Sequence, residues 1–546
     1  MKKIILLSAI LLIFTMLLLG CGGTATTTSP ASQTPTVTGT PTQAGATSPI
    51  ASTQSPTKTT STPTATKKYG GVLRILDMRL PTGSLGWPAK INNQDAFFLQ
   101  PAIETLIRID AKGVPQPQLA TSWEVAPDRS SITLKLRQGV KFHDGTDFNA
   151  QAAKFNLDSV REAKLPGATN WTSVEILDDY TVKINISKWE NLIFGNLGGR
   201  TGMMVSPTAI QKNGVDWAAT NIAGTGPFKL TNFERDTVLE FKKNENYWQT
   251  GKPYLDGIKW ICIPDTMTQI STFKVGDADL IQPWNGQVLS QLKGLPGTVF
   301  QYRHSGVFVL YPDAANADSP FSKKLVREAI EYAIDKDAMM KIAGFGIFES
   351  AYQLPCPATI GYIPDLPIRK YDPVKAKLLL GQAGYPDGFQ CTLSITIPAP
   401  DIKDAQVAIQ GFLSKIGITC NLEYADPAKY SDYMTKGWHN TLIYSPANTE
   451  GNFTSSVQTY FTIPNYYVSL KGPANLMDLY NEAISTPNVE PEKVQKLARA
   501  IFDDASLIPV SYMGTGQVYY DYLHDAGFLE YSSQMNFSPE NAWMSK

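Results

Sequence analysis

Four histidines stand in the chain, His143, His304, His439 and His524, and no two have the spacing of a zinc-binding helix. The five cysteines, Cys21, Cys262, Cys356, Cys391 and Cys420, include no Cys-x-x-Cys pair, so spacing offers neither a metal centre nor a dithiol redox motif. Gly224-Thr225-Gly226-Pro227-Phe228-Lys229 is glycine-rich but lacks the Lys-Ser/Thr ending of a phosphate loop, and reads as a tight turn before a strand. No Gly-x-Ser-x-Gly elbow occurs. The acid pairs Asp178-Asp179 and Asp503-Asp504 are adjacent, which on a strand sends them to opposite faces, so they read as solvated rather than as a general-acid and base pair. The residues able to do chemistry do not converge. The sequence predicts no enzyme, no metal and no cofactor.

The N-terminus carries an address. Met1-Lys2-Lys3 precedes an apolar run from Ile4 to Leu19, broken only by Ser8 and Thr15, and Leu18-Leu19-Gly20-Cys21 closes it. This pattern predicts a signal peptide over 1–20, with Cys21 lipidated as in a bacterial lipobox. Thr24 to Thr66 is nearly all Thr, Ser, Pro, Ala, Gly and Gln, with almost nothing to bury, so 21–68 is expected to be a lipidated, disordered stalk. The expected location is therefore the outer side of a cell membrane, held there by lipid, with no spanning helix.

Charge narrows the partners. The chain holds 48 basic and 49 acidic residues; residues 1–68 include five lysines and no acid, leaving the body at −6. Nucleic-acid binding calls for a basic surplus, so it is not expected.

The elements that must position any site follow from periodicity. Ser131 to Arg137 alternates apolar and polar, Val182, Ile184 and Ile186 repeat the pattern, and Leu239 and Phe241 begin another strand. Leu325, Val326, Ala329, Ile330, Ala333 and Ile334 have helical spacing, predicting one helix over 322–343 with Ser322 as its cap. Asp372-Pro373 opens a second helix that Gly384 can close. Strand 391–397, helix 401–416 ending at Gly417, and strand 419–424 make a βαβ unit. Cys391 and Cys420 lie on its two strands and are candidate neighbours, either as a disulfide or as buried thiols. The expected class is α/β with several lobes.

Several blocks resemble one known family. They include Leu119-Ala120-Thr121-Ser122-Trp123, Phe142-His143-Asp144-Gly145-Thr146, Gly224-Thr225-Gly226-Pro227-Phe228, Asn244-Glu245-Asn246-Tyr247-Trp248, and Val326-Arg327-Glu328-Ala329 running on to Ile334-Asp335-Lys336. In this order they resemble the family 5 extracellular solute-binding proteins of bacterial ABC importers, the oligopeptide, dipeptide and nickel binder group. The resemblance implies a two-lobe periplasmic-binding-protein-like fold with a hinge and an extra subdomain on lobe one. Lobe one would comprise 69–90, 196–309 and 506–546, the subdomain 91–195 and lobe two 310–505. It further implies that hinge closure traps a ligand between the lobes for a permease and ATPase complex.

Peptide-binding relatives carry a Trp-x-x-Asp-Tyr element in a lobe-two loop, whose Asp pairs with the peptide's amino group. The matching stretch here, Leu442 to Phe453, lacks that Trp and Asp, and only Glu450 supplies a carboxylate. A peptide is the leading ligand class, with an oligosaccharide or other neutral solute as the alternative, and a sensory role on the same fold also open. Positions matching the family's cleft-facing loops are Asn93, Gln94, Trp284, Asn285, Tyr444, Asn448, Glu450 and Tyr512.

Overall fold

The computed structural model describes residues 66–111, 113–283, 285–448, 451–527 and 539–546. Cys21, the stalk up to residue 65, Trp284 and Glu450 lie outside the described residues, as do the side chains of Asn93 and Asn448.

The chain enters on β1 (Val72–Asp77) and then builds a separate antiparallel sheet from β2 (Ala120–Val125), β3 (Ser131–Leu136), β4 (Trp171–Asp178) and β5 (Thr181–Ile186), in the order β2-β3-β5-β4. Helix α1 (Ala150–Glu162) covers one face, burying Ala153, Leu157 and Val160 against Ile132, Leu134, Val174 and Ile184. Asn149 starts α1 by accepting from Ala152 N at 3.0 Å. The alternation read at 131–137 and 182–186 is that of these half-buried strands.

Nine further strands join β1 in one mixed sheet. They are β6 (Phe228–Glu234), β7 (Val238–Lys243), β8 (Gly257–Cys262), β9 (Leu280–Ile281), β10 (Thr298–Pro312), β11 (Phe389–Ile395), β12 (Ile418–Tyr424), β13 (Thr441–Asn448) and β14 (Ile508–Tyr520). With β1 their order is β12-β11-β13-β10-β14-β9-β1-β8-β7-β6. Strands β10 and β14 hold 15 and 13 residues, each long enough to run ~40–50 Å and serve both halves. Thr298 to His304 pairs with Tyr520 to Gly514 on the side joined to β9, while Gly306 to Pro312 pairs with β13 and Gly306 to Leu310 also with β14. Two lobes therefore share two crossing strands, and the register shifts by one residue between His304 and Gly306, at the crossing.

Each half has its own core. In lobe one Trp260 is fully buried, with its ring 5.8–6.0 Å from those of Phe97, Phe98 and Phe241. In lobe two β11, α6 (Pro400–Ser414) and β12 form the expected βαβ unit, with β11 and β12 parallel. The helix expected over 322–343 is two helices, α3 (Lys324–Ala333) and α4 (Lys336–Ala343), and α5 (Pro373–Gln382) follows them. Asp335 breaks the run by turning its carboxylate back to accept from Ala338 N at 2.9 Å, starting a second helix.

Candidate functional site

Strand registry assembles a polar rung on the lobe-one side of the crossing. Leu76 pairs with Ile281, Ile281 with Val518, and Gln301 with Gln517. Leu76, Ile281, Val518 and Phe300 pack in one apolar cluster against Val288 and Leu292 of helix α2 (Gly286–Leu292). Side chains alternate along a strand, so the neighbouring Asp77, Gln282, Gln517 and Gln301 stand together on the opposite face. Asp77, Gln282 and Gln517 are only 2%, 2% and 4% exposed. Both amide atoms of Gln282, and the amide oxygens of Gln517 and Gln301, have no hydrogen-bond partner among the described residues. Buried amides without partners cost ~1–3 kcal/mol each, so such a group is a place where a ligand's own polar atoms are rewarded.

The two ends of the rung carry ionisable groups. Asp77 accepts from Arg79 N at 3.2 Å, and burial, opposed by Arg79, pushes its carboxyl up to about 7. Two residues beyond Gln301 on the same face is Arg303, whose guanidinium burial makes easier to deprotonate than usual.

A loop beside the rung is fixed by one carboxylate. Asp95, 1% exposed, accepts from Thr82 N and Gly83 N at 2.9 Å and from Arg79 Nη1 at 2.6 Å. This tether places Asn93 and Gln94, which belong to the same short turn; Gln94 is exposed and its carbonyl accepts from Arg79 at 2.7 Å.

The other expected site residues are placed differently. Asn285 uses its side-chain oxygen to cap α2, accepting from Gln287 N and Val288 N. Tyr444 is 2% exposed and packs 5.3 Å from Phe308 in the lobe-two core, because β13 is a central strand covered on both faces. Tyr512 is 6% exposed at the crossing, where its hydroxyl donates to Pro355 O at 3.3 Å. Asn448 ends β13 opposite Gly306, directly after the register shift. Sequence reading missed Gln282, Gln301, Arg303 and Gln517.

The motifs quoted for the resemblance hold the architecture. Gly224 and Gly226 pass so close to the chain that a Cβ would lie 2.0 Å from Ala102 O and 2.5 Å from Pro101 O. His143 joins them, its N–H donating to Gly224 O at 2.8 Å and its Nε2 lying 3.0 Å from Gly226 O; burial holds its ring down at about 4. Glu104, 2% exposed, accepts from Thr225 Oγ1, Tyr247 Oη and Trp248 Nε1 at 2.8–2.9 Å, and burial raises its carboxyl despite these donors. Arg327 donates to Phe321 O, Ala505 O and the Asp504 carboxylate.

The lobes also touch away from the crossing. Leu192, from the chain leaving the subdomain sheet, packs in the lobe-two core, and Asn191 N donates to Ile484 O at 2.8 Å. In the turn between the paired strands Ile107–Ile109 and Pro115–Pro117, a Cβ on Gly113 would lie 2.6 Å from Ile360 Cδ1.

Residues 114–466 match the family described as bacterial extracellular solute-binding proteins, family 5 Middle. The chain belongs to this family. Among curated relatives, the glutathione-binding protein GsiB of Escherichia coli (strain K12) is 34% identical over 280 residues, 50% of this chain and 54% of the relative. The chain spans about half the length of the curated relatives it matches. The solved structure of the ABC transporter-associated periplasmic binding protein DppA from Helicobacter pylori, in complex with peptide STSA, superposes with a TM-score of 0.71 at 26% identity, covering 88% of this chain and 99% of that one. NikA from Brucella suis, solved with Fe(III)-EDTA, shares the fold with a TM-score of 0.75 at 22% identity, covering 87% of this chain and all of the other. The two-lobe α/β fold of this solute-binding protein is that of periplasmic binding proteins. No described helix is long and apolar enough to cross a membrane.

Proposed function

We propose that this solute-binding protein captures a short peptide between its lobes and presents it to the permease of an ABC importer. The observation that carries the reading is the rung of buried amides from Gln282, Gln517 and Gln301, whose polar atoms have no partner among the described residues. A glutamine amide offers both a donor and an acceptor, which is what a peptide backbone, with one N–H and one C=O per residue, matches. Asp77 and Arg303, flanking the rung, supply groups of opposite character for a zwitterionic ligand's ends. DppA from H. pylori, solved with peptide STSA, and GsiB, named for glutathione, favour the same ligand class.

Lipidation at Cys21 would tether the protein outside the cell, with 21–68 as spacer and the lobe division at 69–90, 91–195, 196–309, 310–505 and 506–546. Binding and release need no covalent step, so the protein acts as a receptor rather than an enzyme. Mass spectrometry of small molecules that co-purify with the body from Tyr69 onward tests the ligand class. Short peptides are the expected finding, and a bound oligosaccharide would replace the peptide reading with the neutral-solute one.

A further inference from the structure

Cys391 on β11 and Cys420 on β12 are direct partners in the parallel ladder. Both side chains turn into the same lobe-two core, 3% and 4% exposed, among Leu393, Ile409 and Leu413. Their sulfurs lie 3.4 Å apart. The other two described cysteines have different surroundings: Cys356 Sγ donates to Gly306 O at 3.3 Å and Cys262 Sγ to Met78 O at 3.6 Å. Adjacent strands lie ~4.8 Å apart, within the ~4.4–6.8 Å Cα separation that a disulfide spans without backbone movement.

We propose that Cys391 and Cys420 are joined by a disulfide in the exported protein, a covalent rung across β11 and β12. Proteins of this family are extracellular by description, and disulfides persist outside the cytoplasm. The step balances as thiol–disulfide exchange. One thiolate attacks the disulfide of an exported oxidoreductase and displaces one of its sulfurs. The second cysteine then attacks the mixed disulfide, so two protons and two electrons pass to the oxidant, which leaves as a dithiol. Burial of both sulfurs places this exchange before α6 closes over them during folding. The bond would act where the sheet is weakest. β12 is the outermost strand at the lobe-two end and carries the unpaired edge, and the link ties it to β11 across the loop containing α6.

The test uses the full chain isolated from the membranes of cells that export it, quenched in acid, denatured and alkylated without reductant. Trypsin then releases peptides 378–403 and 416–429, which contain Cys391 and Cys420. The expected result is a cross-linked pair two hydrogens lighter than the sum of the separate peptides, which disappears on reduction, while Cys262 and Cys356 are alkylated throughout. As a second readout, reductant should lower the melting temperature of the wild type but not that of the Cys391→Ala/Cys420→Ala protein. Full alkylation of both cysteines without reductant, or pairing of either with Cys262 or Cys356, would overturn the proposal. The outcome is independent of which ligand the cleft takes.

Discussion

The side-chain amide of Asn191 donates to the main-chain oxygen of Ala483 at 2.9 Å, joining the subdomain of lobe one to a helix of lobe two. That helix, α7 (Leu476–Ile484), leaves its last carbonyls without intrahelical donors. Asn191 supplies them from the other lobe, through its backbone to Ile484 O and its side chain to Ala483 O and Thr486 Oγ1, and Trp189 Nε1 adds a bond to Thr486 O at 2.9 Å. These bonds join the two segments at a point away from the shared strands β10 and β14.

Removing these bonds should loosen closure. Asn191→Ala deletes the side-chain bonds and leaves buried acceptors unpaired, a cost of ~1–3 kcal/mol that falls on the closed form. Small-angle scattering of the unliganded body should give a larger radius of gyration than wild type, and stopped-flow should give faster ligand release. Unchanged values for both would mean that the contact does not restrain the lobes.

Glu104 ties Thr225, Tyr247 and Trp248 to one buried carboxylate, and none of these partners belongs to the rung. Glu104→Ala strips the acceptor from Thr225, Tyr247 and Trp248 at once, so unfolding in urea should show a loss of ~3 kcal/mol or more. Ligand affinity of the fraction that stays folded should match wild type.

The fold was legible where local chemistry decided it. Asp372 does cap its helix, accepting from Lys375 N at 2.9 Å, and Gly384 follows the helix end with a φ of +88°. The βαβ unit followed from pattern alone. The Asp335 break was hidden because apolar spacing continues across it; only the capping chemistry of an aspartate two residues after Ala333 marks it. The rung was illegible for another reason. Gln282, Gln301 and Gln517 meet only through strand pairing across more than two hundred residues, and no local period encodes that registry. Tyr444 looked like a cleft residue beside an altered loop, yet a central strand is apolar on both faces, so alternation gives no side. Asn285 carried a readable signal, an Asn directly before a helical run.

Stability should depend on pH through Asp77. Its carboxyl binds a proton up to about pH 7 in the folded protein against 3.8 in the unfolded chain. The folded state thus holds more protons between those values, and stability falls as pH rises through the window, by ~1.4 kcal/mol for each tenfold difference in proton affinity. Asp77→Asn should show a shallower decline between pH 5 and pH 8 in urea titrations than wild type. Parallel declines for the two proteins would show that Asp77 is not titrating there.

The proposed anchor has a separate test. Cys21→Ala should leave the body folded while preventing lipid attachment, so fractionation should find precursor or released protein instead of the mature membrane-bound form. A processed variant that stayed on membranes through a high-salt wash would remove the lipid from the account.

The central claim is that a peptide lies on the amide rung between the lobes. Isothermal titration of defined tri- and tetrapeptides into unliganded wild type and into the Gln282→Leu/Gln517→Leu protein addresses it directly. Because those amides have unpaired atoms, replacing them with leucine should leave the melting temperature unchanged or slightly raised. Binding should be saturable in the wild type and at least ~10-fold weaker in the variant, the equivalent of ~1.4 kcal/mol. Equal affinity in both proteins, or heat from an oligosaccharide mixture and none from the peptides, would contradict the account.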